Sequence, residues 1–75
     1  MTGDEEELRT RPSLAEQLRI ARRSAGLSIA ETARRAGTSR AAIHSYESGH
    51  VSPTLVTAAR ILAVYGHSLR VAAER

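Results

Sequence analysis

Arg40, Ala41, His44 and Ser45 are the residues of this chain whose types and spacing could do chemistry of a specific kind. If residues 39–46 form a helix, Ile43 and Tyr46, three apart, are its apolar anchors, and these four side chains are left on its outer surface. That surface is short, small and polar. An arginine there can donate paired hydrogen bonds to the edge of a guanine, while alanine and serine let the backbone come close to the floor of a major groove. Other chemistries find little support. His44, His50 and His67 fall at turns or surfaces with no acid paired at a catalytic spacing, so no catalytic residue and no enzymatic activity is expected. His44 and His50 are too far apart for a ligand pair one helical turn apart, and there is no cysteine, so neither a metal nor any other cofactor is expected.

The elements that would position this surface are marked by their caps. Ser28 and Glu31 form a capping box at a helix start, Ala36-Gly37-Thr38-Ser39 supplies a glycine to close that helix and hydroxyls to cap the next, and the second helix stops at Gly49. Ahead of this pair, Pro12 marks a boundary, and Ser13 with Glu16 is a second capping box. A helix over Leu14 to Ala25 follows, with Leu14, Leu18, Ala21 and Ala25 as its inward stripe and Gly26 as its stop. Ile20 falls off the stripe. Leu27 is placed to staple the next helix onto it, Ala30 and Ala33 allow close helix approach, and Thr32 predicts a shallow core. Behind the pair, Ser52 and Pro53 read as cap and first residue of a last long helix, whose inward stripe is Leu55, Ala58, Leu62 and Tyr65. Val56, Ala59, Ile61, Ala63 and Val64 make that helix apolar on nearly every side, with Arg60 its only charge, so its second face is expected to meet another chain.

Length and composition bound the fold. In 75 residues there is room for one small domain with an aliphatic, alanine-rich core, since Tyr46 and Tyr65 are the only aromatics. The absence of cysteine fits a reducing compartment, no apolar run is long enough for a membrane span, and a cytoplasmic protein without membrane contact is the expectation. All 11 basic residues are arginine. Residues 1–12 hold Asp4, Glu5, Glu6 and Glu7 against Arg9 and Arg11, a balance of −2, whereas residues 13–75 hold nine arginines and four acids, a balance of +5. The basic part is attracted to polyanions, although charge alone leaves a nucleic-acid partner and a merely solvated surface equally open. Residues 1–12 read as an acidic, mobile tail, or else as an arm that competes with DNA for the basic face.

The run LRIARRSAGLSIAETARRAGTSRAAIHSYESGHVSP resembles the phage-repressor or Cro type of helix-turn-helix domain, the XRE-like, lambda-repressor-like family. The resemblance covers residues 14–66 and implies an all-α bundle of four to five helices that binds a palindromic operator in double-stranded DNA as a homodimer. It places Ser39, Arg40, Ala41 and Ser45 at base-contacting positions, with His44 close by, and Ser28 where a helix start meets phosphate. Arg19, Arg23, Arg34, Arg35, Thr38 and His50 are the further candidates for phosphate contact. Arg22 and Glu47 match a structural salt bridge of the family. The chain departs from the pattern at Ile29, where many relatives carry a glutamine that contacts the DNA backbone, and at His50, Val51 and Ser52, where relatives often carry Lys or Arg.

Three regions follow: an acidic tail at 1–12, a helix-turn-helix domain at 13–66 and a dimerisation segment at 67–75. In the last, Leu69 and Val71 alternate with Arg70, which favours a short β-strand pairing across a dimer, as in antitoxin-like members, over a fifth helix. Val56, Arg60, Ala63, Val64, Leu69 and Val71 are the candidate dimer interface. Transcriptional repression is the leading reading. The rival is a protein-interaction module, an antitoxin or anti-repressor that binds a protein such as a toxin, and the two can hold together.

Overall fold

Each helix of the computed structural model, which describes residues 12–67, starts at a hydroxyl that caps it. The helices are α1 (Leu14–Ser24), α2 (Ile29–Ala36), α3 (Arg40–Ser48) and α4 (Leu55–Val64), and there is no strand among the described residues. Ser13, Ser28, Ser39 and Thr54 are the caps, each accepting a hydrogen bond from the backbone N–H three residues on, at 3.1, 3.0, 3.0 and 3.1 Å. Each such bond satisfies one of the donors a helix start leaves unpaired, worth about 1 kcal/mol against alanine. Two glycines set the corners around α3. Gly37 (φ 72°) closes α2, with the Thr38 N–H bonding back to the Ala33 carbonyl at 2.9 Å, and Gly49 (φ 81°) closes α3. Any residue with a Cβ is strained at those angles.

The bundle is all α, with α3 packed against both α1 and α2, and α2 against α4. Its centre is small and aliphatic: Leu18, Ala33, Ala36, Ile43 and Ile61 are buried, and Ile29, Tyr46, Leu62, Val64 and Tyr65 close around them. Leu18, Ile43, Ile61 and Thr32 are the largest side chains fully removed from water. With so few large groups in the core, truncating any one removes a sizeable share of the stability, about 2–5 kcal/mol for a leucine or isoleucine cut to alanine.

Several sequence expectations are corrected. The last helix is capped by Thr54, not Ser52, and Pro53 precedes the cap instead of opening the helix. A residue before proline is held extended, and the chain stays extended through Thr54 (ψ 165°) before it turns. The inward stripe shifts with that start: Ala58 and Ile61 are buried with Leu62 and Tyr65 beside them, whereas Leu55 is 63% exposed. Ile61 and Val64, read as lying off the inward stripe and Val64 as part of the dimer interface, belong to the core side. In α1, Leu14 and Ala25 are exposed and only Leu18 of the stripe is buried, because Leu14 lies in the first turn and Ala25 has become the C-cap. Ala30 is exposed, and it is Ala33 with Ala36 that lets α2 approach its neighbours closely. Thr32 is not in a shallow position: it is 0% exposed, and neither its hydroxyl nor that of Tyr65 finds a hydrogen-bond partner. The tail after His67, with Leu69 and Val71 and the choice between strand and fifth helix, lies outside the described residues, as do residues 1–11.

Candidate nucleic-acid interface

The outer face of α3 is set by what its inner face must bury. Ile43 is fully buried, Glu47 is nearly so, and Tyr46 lies partly against the core. Those three positions fix the rotation of the helix, and Arg40, Ala41, His44 and Ser48 are turned to solvent, with Ser45 half-buried at the edge. Ser39 is exposed, and its hydroxyl oxygen accepts from the Ala42 N–H while its own O–H stays free to donate.

Arg22 and Glu47 hold α3 to α1. The Arg22 Nε donates to Glu47 Oε2 at 2.7 Å and Nη2 donates to Oε1 at 3.0 Å, a two-pronged pair, while Nη1 donates to the Leu27 carbonyl at 2.9 Å. One guanidinium therefore ties together the last turn of α1, the loop into α2 and the last turn of α3. The side chains are only 12% and 7% exposed. Hydrogen bonding to Glu47 pushes the Arg22 guanidinium above its ordinary value, against the opposing effect of burial.

A cleft of about 210 Å³ runs beside this tie, lined by Arg19, Arg22 and Arg23 of α1, Ile29 of α2, and His44, Glu47 and Ser48 of α3. It brings the arginines of the first helix alongside the outer face of the third. Ser48 was not among the sequence candidates, although it stands four residues after His44 and so shares its face. Its hydroxyl also lies 2.6 Å from His50 Nδ1, which anchors an otherwise exposed ring just past the helix end. Ile29 fills its place in the cleft with hydrocarbon. The nitrogen-bearing side chains of Arg19, Arg23 and His44 line the cleft around it.

The other arginine candidates sit differently. Arg34 and Arg35 are exposed on α2, and both are engaged by Glu31, Arg35 through its Nε at 3.1 Å and its Nη2 at 3.0 Å. This is also why the capping box at Ser28 is half made. The Ser28 hydroxyl accepts from the Glu31 N–H, but the Glu31 carboxylate turns along the helix to the two arginines instead of back to the cap. The Arg34 hydrogen bond holds the Glu31 carboxyl below its ordinary value. Arg19 makes only a loose pair with Glu16 at 3.9 Å, and Thr38 is half-buried in the turn. On α4, Val56 (65% exposed), Arg60 and Ala63 are at the surface. The described residues contain no group of three or more His, Asp or Glu side chains able to hold a metal ion, and no described helix is long and apolar enough to cross a membrane.

Comparison with known proteins agrees with this geometry. No curated protein and no solved structure matches the chain. The model of one family, described as a helix-turn-helix domain, matches residues 13–74, and the chain belongs to that helix-turn-helix domain family.

Proposed function

We propose that the protein is a dimeric, sequence-specific repressor of the phage-repressor or Cro type, which reads a palindromic operator in double-stranded DNA through α3. Family membership supports DNA as the partner and a non-enzymatic binding module as the expected role. The observation that carries the finer reading is the outward row of Arg40, Ala41 and His44, with Ser45 half-buried at its edge, on a helix whose orientation is fixed by Ile43 and by the Arg22 to Glu47 tie. A helix held this firmly, with a short polar face, can enter a major groove without reorganising. Arg40 donates to a guanine edge, Ser39, Ala41, His44 and Ser45 approach neighbouring base edges, and Arg19, Arg23, Ser28, Thr38 and His50 meet phosphates around them. Arg34 and Arg35 join only if Glu31 releases them.

The exposed Leu55 and Val56 favour a second copy on α4. Two-fold symmetry then sets the two α3 helices about 34 Å apart, one turn of B-DNA, and occupation of a promoter blocks transcription. The same apolar surface is the observation that favours the rival, a protein partner such as a toxin.

Selection of bound sites from random duplexes tests the reading, followed by titration of the selected site at several salt concentrations. The expected outcome is a palindromic consensus and an affinity that falls steeply with salt, by about tenfold or more per fourfold rise in concentration if only a few phosphates are neutralised. Enrichment of no sequence at any salt, with capture of a protein partner alone, would favour the rival.

A further inference from the structure

We infer that the acidic segment Asp4–Glu7 docks on the α1–α3 cleft around Arg19, Arg23 and His44 and competes there with nucleic-acid phosphate. The carboxylates of the described residues are all engaged. There are three, Glu16, Glu31 and Glu47, and each already faces an arginine: Glu16 faces Arg19, Glu31 faces Arg34 and Arg35, and Glu47 faces Arg22. Among the described residues, Arg23, Arg40 and Arg60 have no carboxylate partner. Arg23 is the one of these that lies in the cleft, and the loose 3.9 Å pair leaves Arg19 beside it open to a better acceptor. The chain supplies four consecutive acids, Asp4, Glu5, Glu6 and Glu7, just ahead of the helix that carries both arginines.

Reach decides which cation they meet. Glu7 is six residues before the Ser13 cap, a span of up to about 20 Å, whereas Arg19 and Arg23 lie about 9 and 15 Å along α1 from the same cap. The acids can therefore lie back along α1 and place two or three carboxylates at the cleft. Tethering makes the encounter intramolecular, with an effective concentration in the millimolar range, so pairs that are individually weak are populated together at low salt. Phosphate of an approaching duplex must displace them. The consequence for DNA rests on the function proposed above, while the docking itself does not.

The test uses the full chain with Asp4→Asn, Glu5→Gln, Glu6→Gln and Glu7→Gln combined, and it has two readouts. In the free protein, NMR signals of the Arg19 and Arg23 Nε–Hε groups and of the His44 ring should move on neutralising the tail, and those of Arg60 should not. On a selected duplex, the variant should bind roughly tenfold tighter at about 0.05 M salt, with a steeper salt dependence, and the gain should vanish at several-fold higher salt as screening shortens. Shifts in the free protein with no DNA binding by either form would leave the docking standing and sink the DNA reading. Unmoved arginine signals would overturn the docking, even beside a gain in affinity, because repulsion between a free tail and DNA would account for that gain. An unchanged affinity for a bound duplex at low salt would overturn the competition.

Discussion

Removing one partner of the Arg22 to Glu47 pair should damage this protein more than removing both. In Arg22→Met, the Glu47 carboxylate stays where α3 packs, 7% exposed, and loses two hydrogen bonds of 2.7 and 3.0 Å. A nearly buried carboxylate left without its counter-charge costs about 3–5 kcal/mol. A 75-residue chain has a total stability on the order of 4–11 kcal/mol, so the single substitution takes a large part of it and lowers Tm by more than about 12 °C. In Arg22→Met/Glu47→Leu both charges are gone and hydrocarbon fills their volume, which is close to neutral in comparable sites. The double substitution should not surpass the parent, because the Leu27 carbonyl loses the Arg22 Nη1 donor at 2.9 Å, worth about 1 kcal/mol. Urea unfolding followed by far-ultraviolet circular dichroism measures all three, with Glu47→Leu completing the cycle. Single losses below about 1 kcal/mol would mean that the pair behaves as a solvated surface contact, and a double loss equal to the sum of the singles would mean that the two side chains are not coupled; either result refutes the tie.

Other perturbations separate the structural from the functional readings. Arg40→Ala should weaken binding to a selected site by about 1–3 kcal/mol and relax preference at one base pair, whereas an equal loss on every sequence would make Arg40 a phosphate contact. Thr32→Val replaces a fully buried hydroxyl that has no partner, and should raise stability by about 1 kcal/mol in thermal unfolding; a loss would show that the hydroxyl is satisfied in solution. Burial pushes the Tyr65 phenol above its ordinary value near 10. The folded state then holds the proton that the unfolded chain gives up, so stability is fully present below about pH 10 and falls as pH rises through that value, and Tyr65→Phe should flatten this alkaline decline. Val56→Glu should leave helix content unchanged and shift sedimentation at micromolar concentration to the monomer; a monomeric parent would remove the dimer proposal.

The parts of the fold that were legible in the sequence are those governed by local chemistry. Hydroxyl caps at Ser13, Ser28 and Ser39, and glycines at positions 26, 37 and 49, announce helix ends through bonds made within a few residues, and the structure makes those bonds. Burial along a helix was less legible because it depends on where a neighbour stops. Leu14 and Leu55 repeat at the spacing of their stripes, yet each opens its helix and stays exposed. Spacing gives the direction of a side chain and is silent about whether anything lies in that direction. The Thr54 cap was hidden for a related reason, since Ser52-Pro53 also satisfies the pattern of cap and first residue, and only the extended course of the chain through Thr54 separates the two.

The face of α3 was readable by subtraction, and the same subtraction explains why the cleft beside it was not. Once Ile43 and Tyr46 are given to the core, the remaining positions of one helix fall outward by periodicity alone. The cleft draws on three helices, and its membership depends on how α1 crosses α3, which the Arg22 to Glu47 tie fixes across 25 residues of sequence. Ser48 and Ile29 acquire a place there only through that crossing. The tie also spends the one acid of α3, so the face bounded by Arg19, Arg23 and Arg40 keeps its positive charge while the helix that bears Arg40 is held in place. Stability and attraction for a polyanion are thus served by one placement of Glu47: moved to the outer face it would leave Arg22 buried without a partner and set a negative charge against phosphate, two penalties that act in the same direction.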